Sequence, residues 1–435
     1  MTKFFLMTLI VSILICPQEG FAKTPSASLR DSELDKTLSE YITKFNFSSP
    51  VRDNSKKLPL YELGRELFFS TKLSLAGDIS CAHCHHPTRG TGDNLPLALG
   101  TGAEGDITFR TQGSAGVTKR NSPALWNRSL KSVKFLFWDG RVSFDKKENY
   151  VTTPSDLLTG KDPILADVAK EMINAAAAQA LFPPTSSLEM KGPELDGESH
   201  DVMWNAILEN ILSEENLRAF FQMAYPGITE YNIGHVGKAI SHFEEIEFFV
   251  NDTPWDDYLN GSVQALTPEE KKGAIVFMDK ARCAECHSGE RFSDNSFENI
   301  LIADIGVGKT QNDEGRFEVT GKEEDKYRFL TPGLRNISQT APYMHNGIFA
   351  TLEEVIDHYD HPMRTLMHFN PEKLNEKFGK FYNEKFTRDW DREKVRAQFN
   401  NRSERLAMNL RLTEEEKNNL LLFLKNSLTS KNLNK

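Results

Sequence analysis

Apolar residues recur at helical spacing in two short stretches of related form, residues 60–69 (LYELGRELFF) and residues 267–278 (TPEEKKGAIVFM). Their likeness reads as an internal repeat, and Thr267 followed by Glu270 is a capping-box start for a helix. Residues 164–180 and 203–225 carry the same period, with Pro183-Pro184 breaking the pattern between them. Residues 100–116, rich in Gly and Thr, read as loop, and strand signals elsewhere are few and short. Residues 23–55 have weak periodicity and read as an extension lying on the surface. Residues 361–411 mix many charges with interspersed aromatics, which predicts added helical structure or a mobile insertion. The pattern as a whole predicts a mainly α fold.

The N-terminus places Met1-Thr2-Lys3 before an apolar run over residues 4–16, then Gly20-Phe21-Ala22 before Lys23. That is the layout of a cleavable secretory signal, residues 1–22, with cleavage expected after Ala22. The run is shorter than the roughly 20 residues needed to span a bilayer, so no stable membrane span is expected. Cys16 raises a lipid-anchored alternative, against which Ile15 stands where a small residue is needed. The chain has 52 Lys and Arg against 62 Asp and Glu, a formal net charge of -10. That balance argues against a nucleic-acid partner and says nothing about fold.

Cysteine usage narrows the chemistry further. Past the signal only Cys81, Cys84, Cys283 and Cys286 remain, in Cys81-Ala82-His83-Cys84-His85 and Cys283-Ala284-Glu285-Cys286-His287. Both are C-x-x-C-H sequences, the pattern of c-type haem attachment. Two thiols one helical turn apart can each add to a haem vinyl group, and the following histidine is placed to bind the iron. Zinc knuckles and thioredoxin-like redox pairs also use C-x-x-C, but neither needs the following histidine, still less twice. Two covalently bound haem c groups are therefore expected, with His85 and His287 as proximal iron ligands. Each half then reads as a small helical haem domain, the two cytochrome c-like domains packed against each other.

Beyond these motifs, the run GDNLPLALG, RNSPALWN, FWDGR over 137–141, SSLEM ending at Met190, and TPGLRNISQTAPYMHNG over 331–347 resemble the bacterial dihaem cytochrome c peroxidases and their MauG-type relatives. The resemblance runs from about residue 60 to residue 428. It implies a periplasmic enzyme with a peroxidatic haem domain at 56–258 and an electron-transfer haem domain at 259–435, the latter carrying the 361–411 insertion. It also implies hydrogen peroxide as oxidant and a small redox protein, or an oxidised partner protein, as the other substrate. By the same resemblance Trp138 lies between the two haems and Glu189 is the acid-base group, whose pKa its pocket must adjust. A calcium ion is implied near the domain interface, with Asn121, Thr340 and Pro342 at the matching positions. Of the other tryptophans, Trp126, Trp204, Trp255 and Trp390 are expected in the core.

Two departures from the family pattern bear on function. Where reductively activated peroxidases place a blocking histidine, this chain has Thr101, and no histidine lies between His86 and His200. The first haem is then open to peroxide without activation. Where ordinary members place a methionine as the far ligand of the second haem, alignment through His345, Gly347 and Leu352 puts Tyr359, as in the MauG type. A phenolate stabilises ferric iron and lowers the reduction potential. His358, Met363 and Met367 stand close by as alternative ligands. Three readings follow: a dihaem peroxidase, a MauG-like oxidant of side chains on a partner protein, and a plain dihaem electron carrier.

Overall fold

The computed structural model describes residues 27–52, 57–145, 150–152, 158 and 165–433. The expected signal segment therefore lies outside the described residues. The two repeat stretches form the helices Leu58–Phe69 and Pro268–Met278, each followed by a C-x-x-C-H motif. Each opens with a proline in its first turn, where a missing N–H leaves no bond unmade. Thr267 Oγ1 accepts from Glu270 N at 3.2 Å and Glu270 Oε2 accepts from Thr267 N at 2.8 Å, closing the capping box.

Each of these helices presses a glycine against the backbone of a later helix. A Cβ on Gly64 would lie 2.0 Å from the Ala239 carbonyl oxygen in the helix Ile233–Glu247. One on Gly273 would lie 1.9 Å from the Asn419 carbonyl oxygen in the helix Glu414–Leu422. Only glycine permits so close a crossing. The same device in both halves gives the sequence repeat a structural counterpart.

Around each crossing forms an apolar core. The first gathers Leu63, Leu67, Phe68, Trp204, Phe221 and Phe243; the second gathers Trp255, Phe277, Phe292, Phe423 and Leu428. Trp204 and Trp255 are fully buried, as expected. Trp390 is not in the core: it is 51% exposed and stacks on the Arg388 guanidinium, 4.4 Å from its ring. Trp126 is half-buried and lines a cavity described below. Strands are short and form four sheets of two or three strands among the described residues.

The N-terminal segment departs from its expected surface position. Residues Ala27–Lys44 form a helix whose apolar positions Leu34, Leu38, Tyr41 and Ile42 keep helical spacing between charged neighbours. Leu38 is fully buried, and the Phe47 ring sits 4.9 Å from that of Phe292. Asp35 binds both Lys271 Nζ and the Tyr258 hydroxyl at 2.8 Å. The segment thus belongs to the second core.

Three further expectations are corrected by local chemistry. The stretch 164–180 is two short helices, Ala166–Lys170 and Ala175–Gln179, because Asn174 caps the second by accepting from Ala177 N at 2.9 Å. The stretch 203–225 is likewise split into His200–Ser213 and Glu215–Ala224 by an extended Glu214. The 100–116 loop contains an antiparallel hairpin, Glu104–Asp106 with Phe109–Thr111. Asp106 closes its turn by accepting from Thr108 N and Phe109 N at 2.7 and 2.9 Å.

Residues 361–411 are added helical structure and one strand, and their aromatics serve packing. The helices Pro362–His368, Glu372–Phe378 and Arg392–Asn400 surround the strand Phe386–Arg388, which pairs antiparallel with Ile305–Val307. Phe378, Tyr382 and Phe386 are buried in the second core. The Tyr382 hydroxyl also donates to Leu97 O at 2.7 Å and accepts from Leu97 N at 3.2 Å, tying the insertion to the first half.

Candidate active site

The turn Cys81–Cys84 is capped by Ser80, whose backbone N donates to His83 Nδ1 at 3.0 Å. It puts both thiols on one turn, and His85 closes it by donating its backbone N–H to Cys81 O at 2.9 Å. His85 Nδ1 lies 3.1 Å from Thr91 O. A carbonyl only accepts, so Nδ1 carries the proton and the Nε2 lone pair is left for a metal. His287 repeats the arrangement, with Nδ1 2.9 Å from Phe292 O and 3.1 Å from Pro332 O. Burial pushes the His85 imidazole down to about 4 and lowers that of His287, so both are neutral, the state in which imidazole binds iron. Burial also pushes all four thiols up to about 12.

The second motif opens on a cavity of about 210 Å³ lined by Cys283, Cys286, His287, Trp138 and Tyr359. Asn121, Thr340 and Pro342 line the same cavity. Tyr359 projects from the helix Leu352–Asp360, and burial raises its phenol above the ordinary range. The alternatives to it are placed differently. His358 is fully buried with Nε2 2.8 Å from Ile300 O and Nδ1 bonded to Thr365 Oγ1, so both ring nitrogens are engaged. Met363 and Met367 lie on the next helix and do not line the cavity.

Trp138 is held in one orientation by its neighbours. Its Nε1 donates to Asn121 O at 2.9 Å, and its own carbonyl accepts from Leu330 N at 2.8 Å. The following Asp139 is tied across the two halves: Arg120 Nη1 lies 2.5 Å from Asp139 Oδ2, while Arg120 Nε and Nη2 reach Asp313 at 2.6 and 2.7 Å. Arg316 Nη1 adds bonds to Asp139 O and Gly140 O at 2.8 and 2.7 Å.

Glu189 sits against the loop that covers the first motif. Thr101 N donates to Glu189 O at 2.7 Å, and a Cβ on Gly100 would lie 2.0 Å from Leu188 O. Arg110 fixes that loop over Cys84, donating to Leu99 O and Gly100 O at 2.6 and 2.7 Å with its Nη1 3.7 Å from Cys84 Sγ. The Glu189 side chain is 30% exposed, yet its Oε2 is shut off from solvent without a hydrogen-bond partner. Oε1 lies 4.0 Å from Arg141 Nη2. Desolvation raises the carboxyl above the usual range, and Arg141 opposes that rise. Arg141 is itself set by Asp139 at 3.0 Å and by the Phe137 ring, 3.5 Å from its guanidinium. The Thr101 hydroxyl, beside Glu189 in this arrangement, donates to Asp78.

A family model described as di-haem cytochrome c peroxidase matches residues 59–264. The chain is thus similar to the di-haem cytochrome c peroxidase family, the likeness to the family model lying mostly in its first half. It is 32% identical over 316 residues to the cytochrome c peroxidase Ccp of Escherichia coli (strain K12), a match covering 71% of this chain and 55% of that protein. The chain therefore spans little more than half the length of that relative. It is 29% identical over 302 residues to the methylamine utilization protein MauG of Methylorubrum extorquens, covering 68% of this chain and 67% of that one. Among solved structures, a MauG-like protein associated with microbial copper homeostasis superposes with a TM-score of 0.59 at 24% identity, covering 90% of this chain and 95% of that chain. That likeness carries the fold, which is mainly α as expected.

Likeness to this di-haem family implies two haem c groups, and the residues fit them: each motif has paired thiols and a neutral histidine whose Nδ1 faces a carbonyl, and the second motif opens on the cavity. Among the described residues no cluster of three or more His, Cys, Asp or Glu could hold a metal ion. Among the described residues no helix is long and apolar enough to cross a membrane. Sequence reading did not single out Asp78, Arg110 or Arg141. An isolated acid or base reads as a solvated charge, and only FWDGR, already noted for Trp138, held a signal for Arg141.

Proposed function

We propose that this chain is a periplasmic dihaem c-type peroxidase that reduces hydrogen peroxide beside Glu189 and takes electrons through the second haem from a small redox protein. Each peroxide consumes two electrons and two protons and yields two waters. Haem held by Cys81, Cys84 and His85 supplies the iron that binds peroxide and the electrons that break its O–O bond. The chain's own residues handle the protons. Glu189 takes a proton from the inner peroxide oxygen and returns it to the outer one, which leaves as water.

The observation that carries this reading is the Glu189 carboxylate: one oxygen is buried and unpartnered and the other faces Arg141, on a segment anchored to the loop over Cys84. Burial raises its pKa, which suits a group that must both take and give a proton. Trp138, fixed by Asn121 and Leu330, is assigned the place between the two haems. Tyr359 is assigned as the far ligand of the second iron, and Asn121, Thr340 and Pro342 as oxygen ligands of a calcium ion at the interface.

One observation favours a second reading, MauG-like oxidation of side chains on a partner protein. Tyr359 shares the cavity with His287 while His358 is engaged elsewhere. A tyrosine ligand eases oxidation of the second haem and favours storage of an oxidising equivalent there. A plain electron carrier would need a strong far ligand at the first iron. The Thr101 hydroxyl is a poor iron ligand and is committed to Asp78.

Oxidation of a reduced small cytochrome or copper protein, followed in the presence of hydrogen peroxide, tests the proposal. Glu189→Gln is expected to cut turnover by about 10²- to 10⁴-fold with both haems retained. Wild-type turnover in that variant would remove Glu189 from the chemistry. No peroxide consumption by the native holoprotein would remove the peroxidase reading.

A further inference from the structure

Five arginines line the second cavity. Three have a carboxylate of this chain as partner: Arg335 with Asp256 at 2.7 Å, Arg405 with Asp294 at 2.6 Å, and Arg282 with Glu285 at 2.8 Å. The remaining two, Arg128 and Arg291, make no salt bridge among the described residues. Arg291 is 7% exposed, its Nε has no hydrogen-bond partner, and its Nη1 has only a long contact of 3.5 Å to Asn295 Oδ1. Arg128 donates Nε to the backbone oxygen of Ala124 at 2.5 Å. A third donor in the same wall, Trp126 Nε1, is also buried and unpartnered.

A buried guanidinium without an anion, Arg291, beside a second half-buried one, Arg128, is costly. Burial pushes both down to about 10, and the charge of Arg128 lowers Arg291 further. Glu244 is the carboxylate whose field reaches Arg128, and burial raises its pKa to about 8, which weakens it as a counter-ion; Glu290 is the one whose field reaches Arg291, and neither carboxylate forms a salt bridge with these arginines. The charge must be balanced by something that enters the cavity. A haem bound at Cys283, Cys286 and His287 carries two carboxylates of its own, and guanidinium binds carboxylate in a planar, two-bond geometry.

We propose that Arg128, Arg291 and the Trp126 N–H form the binding site for the propionate carboxylates of the second haem, and that this clamp sets that haem's reduction potential. The proposal rests on the assignment of the second haem to this cavity. Arg128 also acts electrostatically on His85 of the first motif. Positive charge held against the propionates offsets their negative field at the iron and favours the ferrous state. Removing it favours the ferric state and lowers the potential.

Spectroelectrochemical titration of the holoprotein, with a parallel haem count by the alkaline pyridine assay, tests this. Wild type is expected to hold two haems per chain. Arg291→Gln and Arg128→Gln are expected to keep both, since thioether bonds hold them, and to shift the second haem's reduction equilibrium about tenfold toward ferric, about 59 mV for a one-electron couple. Arg291→Lys should recover part of the shift. If either glutamine variant fails to accumulate, Trp126→Phe, which removes one donor and no charge, should give a smaller shift of the same sign. Two haems with an unchanged potential in the variants obtained would overturn the clamp. Fewer than two haems in the wild type would instead overturn the two-haem reading on which it rests.

Discussion

The Thr101 hydroxyl lies 2.8 Å from Asp78 Oδ1 and 2.9 Å from Oδ2, and Gly102 N donates to the same carboxylate at 2.7 Å. Asp78 thus holds the tip of the loop over the first motif and uses the only side chain at position 101 that could face an iron. A histidine there is expected to convert the first haem to a closed state. Thr101→His should turn its ferric high-spin resonance low-spin and make peroxide reactivity depend on prior reduction. An unchanged high-spin signal in that variant would mean that position 101 does not face the iron.

Glu189 and Arg141 predict the acid side of the pH profile. Glu189 must be ionised to take a proton, and its pKa is raised by burial, so kcat/KM should fall with decreasing pH above the ordinary carboxylate range. Arg141 opposes the rise from 4.0 Å. Arg141→Gln removes that positive charge and should move the acid limb to higher pH, whereas Arg141→Lys should leave it near the native position. A limb that does not move in the glutamine variant would place another group in control.

Tyr359→Met replaces a hard oxygen ligand by a thioether. Ferric iron loses the stabilisation that a phenolate gives it, so the second haem's midpoint should rise by at least a tenfold shift in its reduction equilibrium, about 59 mV. Optical redox titration reads this directly. A fall or no change would remove Tyr359 from the coordination sphere and return attention to the methionines of the helix Pro362–His368.

Arg120 holds two buried carboxylates from opposite halves, Asp139 and Asp313. Hydrogen bonds and charge from Arg120 keep Asp313 well below the usual carboxylate range despite its burial. Its folded pKa is depressed, so the pair stabilises the fold above the unfolded pKa and the contribution is lost as pH falls through the folded value. Arg120→Met leaves buried Asp313 with only Lys119 at 3.9 Å, and Asp139 with only Arg141 at 3.0 Å, as a salt-bridge partner among the described residues, which should cost up to about 3–5 kcal/mol in denaturant unfolding at neutral pH. The deficit should shrink in acid, and a deficit independent of pH would contradict this origin.

How much of this was legible in the sequence depends on how local each feature is. The helices before each haem motif were legible because the capping box of Thr267 and Glu270 and the period of residues 60–69 are satisfied within a few residues. The N-terminal extension reads as surface because charges dilute the apolar stripe of the helix Ala27–Lys44, and its partners lie more than 200 residues away, Lys271 and Tyr258 beside Asp35 and Trp255 and Phe292 around Phe47. At the site, the thiols and histidines were legible from their spacing. Glu189, Trp138 and Tyr359 were reachable only through the resemblance. The partners that give them their environment were not legible: Asp78 meets Thr101 only through the tertiary fold, and nothing local in the sequence sets Arg128 and Arg291 apart from the arginines of the same cavity that have a carboxylate partner.

The central claim is an open first haem that meets peroxide beside Glu189, and electron paramagnetic resonance of the oxidised holoprotein as purified tests it most directly. One high-spin and one low-spin ferric signal are expected, with a prompt optical change on adding one equivalent of hydrogen peroxide. Two low-spin signals, with no reaction until the protein is partly reduced, would contradict it.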